Sequence, residues 1–257
     1  MDLRLSGHTA LVAGSTSGLG AALAVALGQE GANVVVGGRR QAFAEHLAGT
    51  LPSALGVHLE LADPGSIAAA LATAERAFGP VDILVLNGGG PPLAAAAEVS
   101  EELLQAGLEM LLLRQIQLVA RVLPGMRQRG WGRVLAVGSS GVQEPLDDLV
   151  VSNVARAALA AYLKTLSREV ARDGVTVNMV LPGRIDTARV AALDRVRAEA
   201  LQVGAEAVRL ASEASIPMGR YGSSEEFAAV ACFLCSEPAG YVTGAQIRVD
   251  GGLARGF

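Results

Sequence analysis

The sequence predicts an α/β fold, a doubly wound parallel sheet of seven strands forming a single domain over residues 1–257. Three observations lead there. Short apolar runs alternate along the chain with longer Ala/Leu-rich stretches of helical character. Most of the runs are continuously apolar, which means strands covered by helices on both faces. Nearly every run ends in a glycine or polar cluster, and in such sheets ligands gather at the carboxyl ends of the strands.

The first run, Thr9–Val12, ends in Ala13-Gly14-Ser15-Thr16-Ser17-Gly18-Leu19-Gly20 and passes straight into an Ala/Leu-rich helix. Glycine here allows a tight turn and close approach of another group. The exposed N–H groups of the helix start suit a diphosphate. Strand two is expected over Ala32–Val36, closed by Gly37-Gly38-Arg39-Arg40, with a helix from Gln41 to Gly49. Strand three is expected at Val57–Leu61. It leads through Asp63, placed as an N-cap, and Pro64 into a helix ending at Phe78. Strand four, Val81–Leu86, stops at Asn87-Gly88-Gly89-Gly90.

Helices follow over about Ser100–Leu113 and Gln115–Gln128, then strand five, Val134–Val137, ending at Gly138-Ser139-Ser140-Gly141. A long helix runs from about Val150 to Asp173. Strand six, Val175–Leu181, ends at Pro182-Gly183. The segment Thr187–Leu210 reads as helical, within a lid over the cleft at residues 187–218. A helix over Glu225–Cys235 and a last strand, Gln246–Val249, complete a Rossmann-like pattern without linker or repeat.

Composition narrows the function classes. Charged residues are 18% of the chain, against a usual share of about a quarter. A chain so poor in charge buries more than its own core, which points to a homo-oligomer, dimer or tetramer. The net charge of −4 gives no basic footprint for nucleic acid. With no apolar run of about 18 residues or more and no apolar leader at Met1–Gly7, the expectation is a cytoplasmic protein with no membrane association. Cys232 and Cys235 sit inside a helical pattern, away from its N-terminus, and read as buried structural thiols. The three histidines show no metal-ligand spacing.

Taken together, these markers resemble the short-chain dehydrogenase/reductase family over nearly the whole chain, and in particular its 3-oxoacyl-acyl-carrier-protein reductase-like members. They are Gly14-x-x-x-Gly18-x-Gly20, Asp63, Asn87-Gly88-Gly89, Ser139, Pro182-Gly183, and Tyr241-Val242-Thr243-Gly244 through Asp250-Gly251-Gly252. The resemblance implies that residues Gly14, Ser15, Thr16, Ser17, Gly18, Leu19 and Gly20 hold the pyrophosphate of a nicotinamide dinucleotide. It implies that Glu60 and Leu61 flank the adenine, that Asn87 and Gly88 line the adenosine ribose, and that Pro182, Gly183, Ile185 and Thr187 hold the nicotinamide amide. At the end of strand two an acid would pair with a free ribose 2′-hydroxyl, whereas arginine suits a 2′-phosphate. Gly37 and Gly38 supply no acid and Arg39 or Arg40 supplies the charge, so NADP is expected over NAD.

The family's chemistry relies on a tyrosine four residues before a lysine, a serine after strand five and an asparagine on the preceding helix. This chain departs from that pattern. Ser139 stands in place, and thirteen residues on, where the tyrosine belongs, is Ser152, with Arg156 in the lysine position and Leu111 in the asparagine position. Arg156 can bind ribose hydroxyls and supply a fixed charge, but it does not relay a proton. Ser152 is a far weaker acid than a phenol. Glu144, Asp147 and Asp148, in the loop before the helix, could reach the same cavity as a neutral acid, or simply be exposed charges. The reading is an NADP-dependent oxidoreductase of a carbonyl or alcohol substrate, free or carried on an acyl carrier, with Ser139, Ser152 and Arg156 as catalytic residues. The alternative is a dinucleotide-binding homologue without redox turnover, acting as sensor or scaffold.

Overall fold

The computed structural model describes residues 1–256; Phe257, where the expected oligomer contacts of the C-terminal segment end, lies outside them. The strands are β1 (Thr9–Val12), β2 (Asn33–Gly38), β3 (Ala54–His58), β4 (Ile83–Leu86), β5 (Gly132–Val137), β6 (Val175–Pro182) and β7 (Gln246–Val249). They form one sheet in the order β3-β2-β1-β4-β5-β6-β7, every neighbouring pair parallel. The order reverses between β1 and β4, which opens a crevice at their carboxyl ends. Gly14 and Asn87 stand on its two sides.

Alternate side chains of each strand feed two cores. Ala10 and Val12 of β1, with Val34 and Val36 of β2, pack beneath α1 (Gly18–Gln29) and, later in the chain, α9 (Ser224–Leu234). Leu11 and Val35 face the other way, into a core closed by α3 (Pro64–Phe78), α5 (Arg114–Arg129) and α6 (Val150–Val170). The expected N-cap forms: Asp63 Oδ1 accepts from Gly65 N at 2.8 Å, with Pro64 first in the helix. Cys232 on α9 and Cys235 at its C-terminal cap are free and buried, and burial pushes both thiols up.

Four expectations need correction. Strand three lies three residues earlier than Val57–Leu61, because its register on β2 pairs Val34 with Ala54 and Gly38 with His58. A small residue is needed there. A Cβ on Gly56 would stand 2.3 Å from the backbone of Glu45 on α2 (Gln41–Ala48), which packs directly against the strand. Strand two in turn runs on through Gly37 and Gly38. The two helices expected around residues 100–128 form one run, α4 (Glu101–Leu108) and α5 joined by a π-turn over Glu109–Leu113. The segment 187–210 divides into α7 (Ala188–Leu201) and α8 (Ala205–Ser215), broken where Gln202 takes a left-handed backbone at φ 55°.

The joined run Glu101–Arg129 is long and apolar enough to cross a membrane, by length and composition alone. Its inner side, with Leu111, Leu118, Val119, Val122 and Met126, is core of this domain. The hairpin α7–α8 hangs from a stitched base. Gly222 N donates to Arg184 O at 2.9 Å and Asp186 N to Gly222 O at 2.8 Å, so its two feet leave the body side by side.

Candidate active site

The glycine loop after β1 is shaped by its neighbours rather than by its own sequence. Gly14 has φ +59°, and a Cβ there would stand 3.0 Å from Asn87 Nδ2. Gly20 is tighter still, with a Cβ placed 2.5 Å from Gly14 O. Asn87 is the strut: its Nδ2 donates to Ala13 O at 3.2 Å and to Gly14 O at 3.0 Å. Ser15 is fully buried; its hydroxyl donates to Val12 O at 2.7 Å and accepts from Gly37 N at 3.0 Å, tying the loop to β2. Ser17 precedes α1 without a side-chain cap, which leaves the first-turn N–H groups of Gly18, Leu19 and Gly20 free of one. A loop held from outside around an uncapped helix start is a cradle for an anionic diphosphate. These residues fit a dinucleotide.

The other cofactor candidates line the same edge. Leu61 is buried, and its Cδ1 would lie 3.2 Å from a Cβ on Gly88. Glu60 is half-buried, with a carboxylate oxygen accepting from Ala62 N at 3.2 Å. Thr187 reaches across the crevice, its Cγ2 3.9 Å from a Cβ placed on Gly18, while also capping α7. Ile185 is core, and Gly183 packs directly against Asp250. The two arginines after β2 separate. Arg40 Nη2 donates to Thr16 Oγ1 at 3.1 Å and Ser17 Oγ at 2.9 Å and stacks on Phe43, whereas Arg39 is exposed and lies 3.8 Å from Glu60 Oε2. A side chain at Gly38 would meet Thr16 Cγ2 at 2.6 Å, so the usual place for a ribose-binding acid is filled.

Ser139 follows β5, while Ser152 and Arg156 pair on α6, where Arg156 is anchored on the last residue of β5. Arg156 lies one helical turn beyond Ser152 on α6 and donates from Nε to Ser152 Oγ at 3.2 Å and from Nη1 to Val137 O at 2.5 Å. Ser139 caps the turn that follows β5, its Oγ accepting from Gly141 N at 3.1 Å. Both Ser152 and Arg156 are buried. Burial, and then the charge of Arg189, hold the Arg156 guanidinium down to about 10, still a cation at neutral pH. No carboxylate pairs with it among the described residues. Arg189, two residues beyond Thr187, donates from Nη2 to Pro91 O at 2.8 Å and so latches the foot of the α7–α8 hairpin to the loop after β4.

Glu144, Asp147 and Asp148 are exposed on the loop before α6. Asn153 shapes that loop, donating from Nδ2 to Leu146 O at 2.8 Å. Tyr162 packs against the core, and Lys164 donates to Gly244 O at 2.9 Å, so neither replaces the missing pair. Leu111 is buried at the π-turn. One turn on lies a residue that the motif spacing did not single out: Gln115, 2% exposed, whose Nε2 donates to Met110 O at 3.2 Å and whose Oε1 has no partner. A glutamine on the otherwise apolar face Leu111, Leu118, Val119, Val122 was the available signal. A cavity of about 460 Å³ opens from Ser140 beneath the α7–α8 hairpin, lined in part by Leu146, Arg184, Arg197, Leu201 and Val208.

Comparison with known proteins agrees with this geometry. A family model described as enoyl-(acyl carrier protein) reductase matches residues 13–254. The chain is 34% identical to a 3-oxoacyl-[acyl-carrier-protein] reductase of Vibrio cholerae, over 98% of this chain and 99% of that one. It is also 34% identical to dehydrogenase/reductase SDR family member 4 of Bos taurus, over 96% of this chain and 88% of the relative. Among solved structures, L-sorbose reductase from Gluconobacter frateurii, complexed with NADPH and L-sorbose, superposes with a TM-score of 0.94 at 32% identity, covering 100% of both chains. YwfH, an NADPH-dependent reductase involved in bacilysin biosynthesis, superposes at 0.91 with 27% identity, covering 97% of this chain and 99% of its own. Fold, glycine cradle and relatives converge: the chain belongs to the short-chain dehydrogenase/reductase family of NAD(P)-dependent oxidoreductases.

Proposed function

We propose that the chain reduces a carbonyl group with NADP(H), and that Ser139, Ser152 and Arg156 hold the substrate oxygen. The observation that carries this reading is the buried hydrogen-bonded pair Arg156–Ser152, anchored on Val137 O two residues before Ser139. Burying a charge is costly unless it is used, and at that place the guanidinium can serve both the nearer ribose of the cofactor and the substrate oxygen.

The loop Gly14–Gly20 would receive the diphosphate, Arg39 the 2′-phosphate, Glu60 and Leu61 the adenine, and Asn87 and Gly88 the adenosine ribose. Pro182, Gly183, Ile185 and Thr187 would receive the nicotinamide amide, and Arg156 would reach the nearer ribose. When bound, the cofactor supplies the hydride. The side chains of this chain orient the carbonyl and hold its charge; none is a phenol, and the loss of such a general acid costs about 10²–10⁴-fold in rate. The reaction is therefore slow on simple ketones. The two relatives named for a 3-oxoacyl carrier substrate and for L-sorbose support a carbonyl substrate, free or carrier-bound.

Residues 187–218 act as the lid over the cavity. A second copy of the chain covers the outer face of the run 101–129, of whose most apolar window only 28% is buried within one chain. The pair of free thiols, Cys232 and Cys235, fits work in the reducing cytoplasm.

The test is a fluorescence titration with NADPH followed by its absorbance in the presence of 3-oxoacyl thioesters and simple ketones. Saturable binding with turnover on at least one carbonyl supports the reading. Binding with no oxidation above a denatured control overturns it in favour of a sensor or scaffold, and failure to bind either dinucleotide removes both.

A further inference from the structure

The α7–α8 hairpin is held to the body of the domain almost wholly at its feet. Asp186 and Gly222 are stitched together, Asp194 takes Arg184 and Tyr221, and Arg209 reaches back to Asp186 Oδ2 at 2.9 Å. Beyond the feet α7 and α8 pack chiefly on each other, and Val196, Leu201, Val203 and Leu210 stand exposed on them. Beneath them the cavity of about 460 Å³ leaves the hairpin room to turn. Among the described residues, one hydrogen bond ties the two helices to the body beyond that base, the 2.8 Å contact from Arg189 Nη2 to Pro91 O.

Gly90 makes the seat for this contact. A Cβ placed on Gly90 would stand 2.8 Å from Arg189 Nη2, 3.0 Å from its Nε and 3.1 Å from its Cζ. The guanidinium therefore occupies the space that a side chain at position 90 would fill. Pro91 and Pro92 follow and restrict the backbone of the loop that receives it. A hydrogen bond from a charged donor is worth about tenfold to a hundredfold in an equilibrium, enough to hold the hairpin down and little enough to open often.

Two residues before Arg189, Thr187 makes the other end of a bridge. Its Cγ2 lies 3.9 Å from a Cβ placed on Gly18, at the start of α1. Residues 187–189 thus span the crevice, reaching the β1 side at Gly18 and the β4 side at Gly90 and Pro91. In the reading above, the diphosphate lies in the Gly14–Gly20 loop with a nucleoside to either side, adenosine toward Leu61 and nicotinamide toward Ile185. An aromatic base passing between two carbon atoms needs about 7 Å, twice their contact distance, and Thr187 and Gly18 do not leave it. Neither nucleoside threads beneath the span, so entry and exit both require it to lift.

We propose that residues 187–189 form a strap across the dinucleotide, latched by Arg189 on the Gly90–Pro91 peptide, and that this latch sets how fast the dinucleotide enters and leaves. The inference rests on the dinucleotide-binding part of the reading above and adds a gating residue that touches no reacting atom. The hairpin turns about its stitched feet, so the strap lifts while Arg184, Asp194 and Tyr221 stay bonded. The latch closes over the empty and the loaded cradle alike. Its loss therefore speeds both directions and leaves the equilibrium nearly where it was.

Stopped-flow mixing of the full chain with NADPH, followed by dihydronicotinamide fluorescence, gives the association rate constant. Displacement by excess NADP⁺ gives the dissociation rate constant. Arg189→Met removes the donor and keeps the stem, and Gly90→Ala pushes the guanidinium off its seat from the opposite side of the crevice. Each should raise both rate constants about tenfold, the worth of that bond, with Kd changing by less than about threefold. The double variant should be no faster than either single one, since both open the same latch.

Rates unchanged in both single variants overturn the proposal and leave dinucleotide binding in place. A rise in dissociation alone, with Kd weakened to match, also overturns it and makes Arg189 a direct ligand of the dinucleotide. If the parent chain binds neither NADPH nor NADH, the strap falls together with the reading it rests on. Hydrogen exchange without any dinucleotide gives a second readout. Arg189→Met should quicken exchange across α7 and α8 and leave α1 and α9 as they are; exchange in α7 and α8 equal to the parent's overturns the proposal.

Discussion

The amide of Asn87, at the end of β4, donates to the carbonyl of Gly14, at the end of β1, at 3.0 Å, and to that of Ala13 at 3.2 Å. The two strands flank the point where the sheet order reverses, so this one side chain holds the crevice at its working width. Asn87→Leu keeps the volume and removes both donors. The two carbonyls lose their partners at a cost of about 1–3 kcal/mol, to be read by urea unfolding, and NADPH affinity should fall about tenfold or more in a fluorescence titration. Unchanged affinity would mean that the loop is shaped by its glycines alone.

Arg39 and Arg40 are neighbours with different duties. Arg40 is spent on Thr16 and Ser17, while Arg39 is held only loosely by Glu60. Arg39→Gln should therefore lower the preference for NADPH over NADH about tenfold, the value of one charged contact to phosphate. Arg40→Gln should weaken both dinucleotides together, because it loosens the loop that holds the part they share. A selectivity change in Arg40→Gln and none in Arg39→Gln would exchange the assignments.

The sheet, its helices and the cofactor edge were legible because they follow from local pattern: apolar runs, glycine clusters and caps recur in order along the chain. Arg39 and Arg40 read as equivalent for the same reason, since nothing in the sequence says that Gly38 lies against Thr16. Strand three read three residues late because Leu59 and Leu61 alternate like a strand, while Ala54-Leu55-Gly56 looks like a turn until the backbone of α2 is seen against it. The π-turn at Leu111, the Arg189–Pro91 latch and the break at Gln202 depend on contacts between distant segments. Ser139, Ser152 and Arg156 were singled out by their places in the family pattern, but the hydrogen bonds that Ser152 and Arg156 make to each other and to Val137 were not legible.

Arg156 sets stability against function. It is a buried cation without an anionic partner among the described residues, held down to about 10 by desolvation, so the fold works against its charge. Arg156→Met should raise stability by about 1–2 kcal/mol while weakening dinucleotide and substrate binding. The sign with pH follows from linkage. The folded-state value lies below the ordinary one, so the penalty is full at neutral pH and is relieved as pH rises through about 10. The stability gap between Arg156→Met and the parent should thus be widest near neutrality and narrow above pH 10. Urea unfolding of both proteins at pH 7 and pH 10.5 reads it.

Helix α9 starts with a reciprocal cap. Glu226 N donates to Ser223 Oγ at 3.1 Å, and Ser223 N to Glu226 Oε2 at 2.8 Å. The Arg220 guanidinium, and then the Ser223 N–H, hold the Glu226 carboxyl down to about 2. Ser223→Ala should cost about 1 kcal/mol. Because the folded value is depressed, the contribution of Glu226 is present above the ordinary carboxylate range and is lost as pH falls through about 2. Glu226→Gln should flatten the stability of the protein over that acid window, and an unchanged acid profile would assign the loss to other carboxylates.

The α7–α8 hairpin turns on Asp194, a buried carboxylate that accepts from Arg184 Nη1 at 3.0 Å and from the Tyr221 hydroxyl at 2.8 Å. Both partners come from the stitched feet of the hairpin, so Asp194 fixes the angle at which α7 leaves the body. Tyr221→Phe removes one of the two donors, worth about 1 kcal/mol, and frees the hairpin to tilt over the cavity in which Arg184 and Arg197 stand. The glycine cradle is untouched by this change. The substrate KM should therefore rise several-fold with the NADPH affinity unchanged, and protease cleavage near the Gln202–Gly204 turn should quicken. A parallel loss of NADPH affinity would show that the hairpin and the dinucleotide edge move as one body, through the Arg189–Pro91 latch.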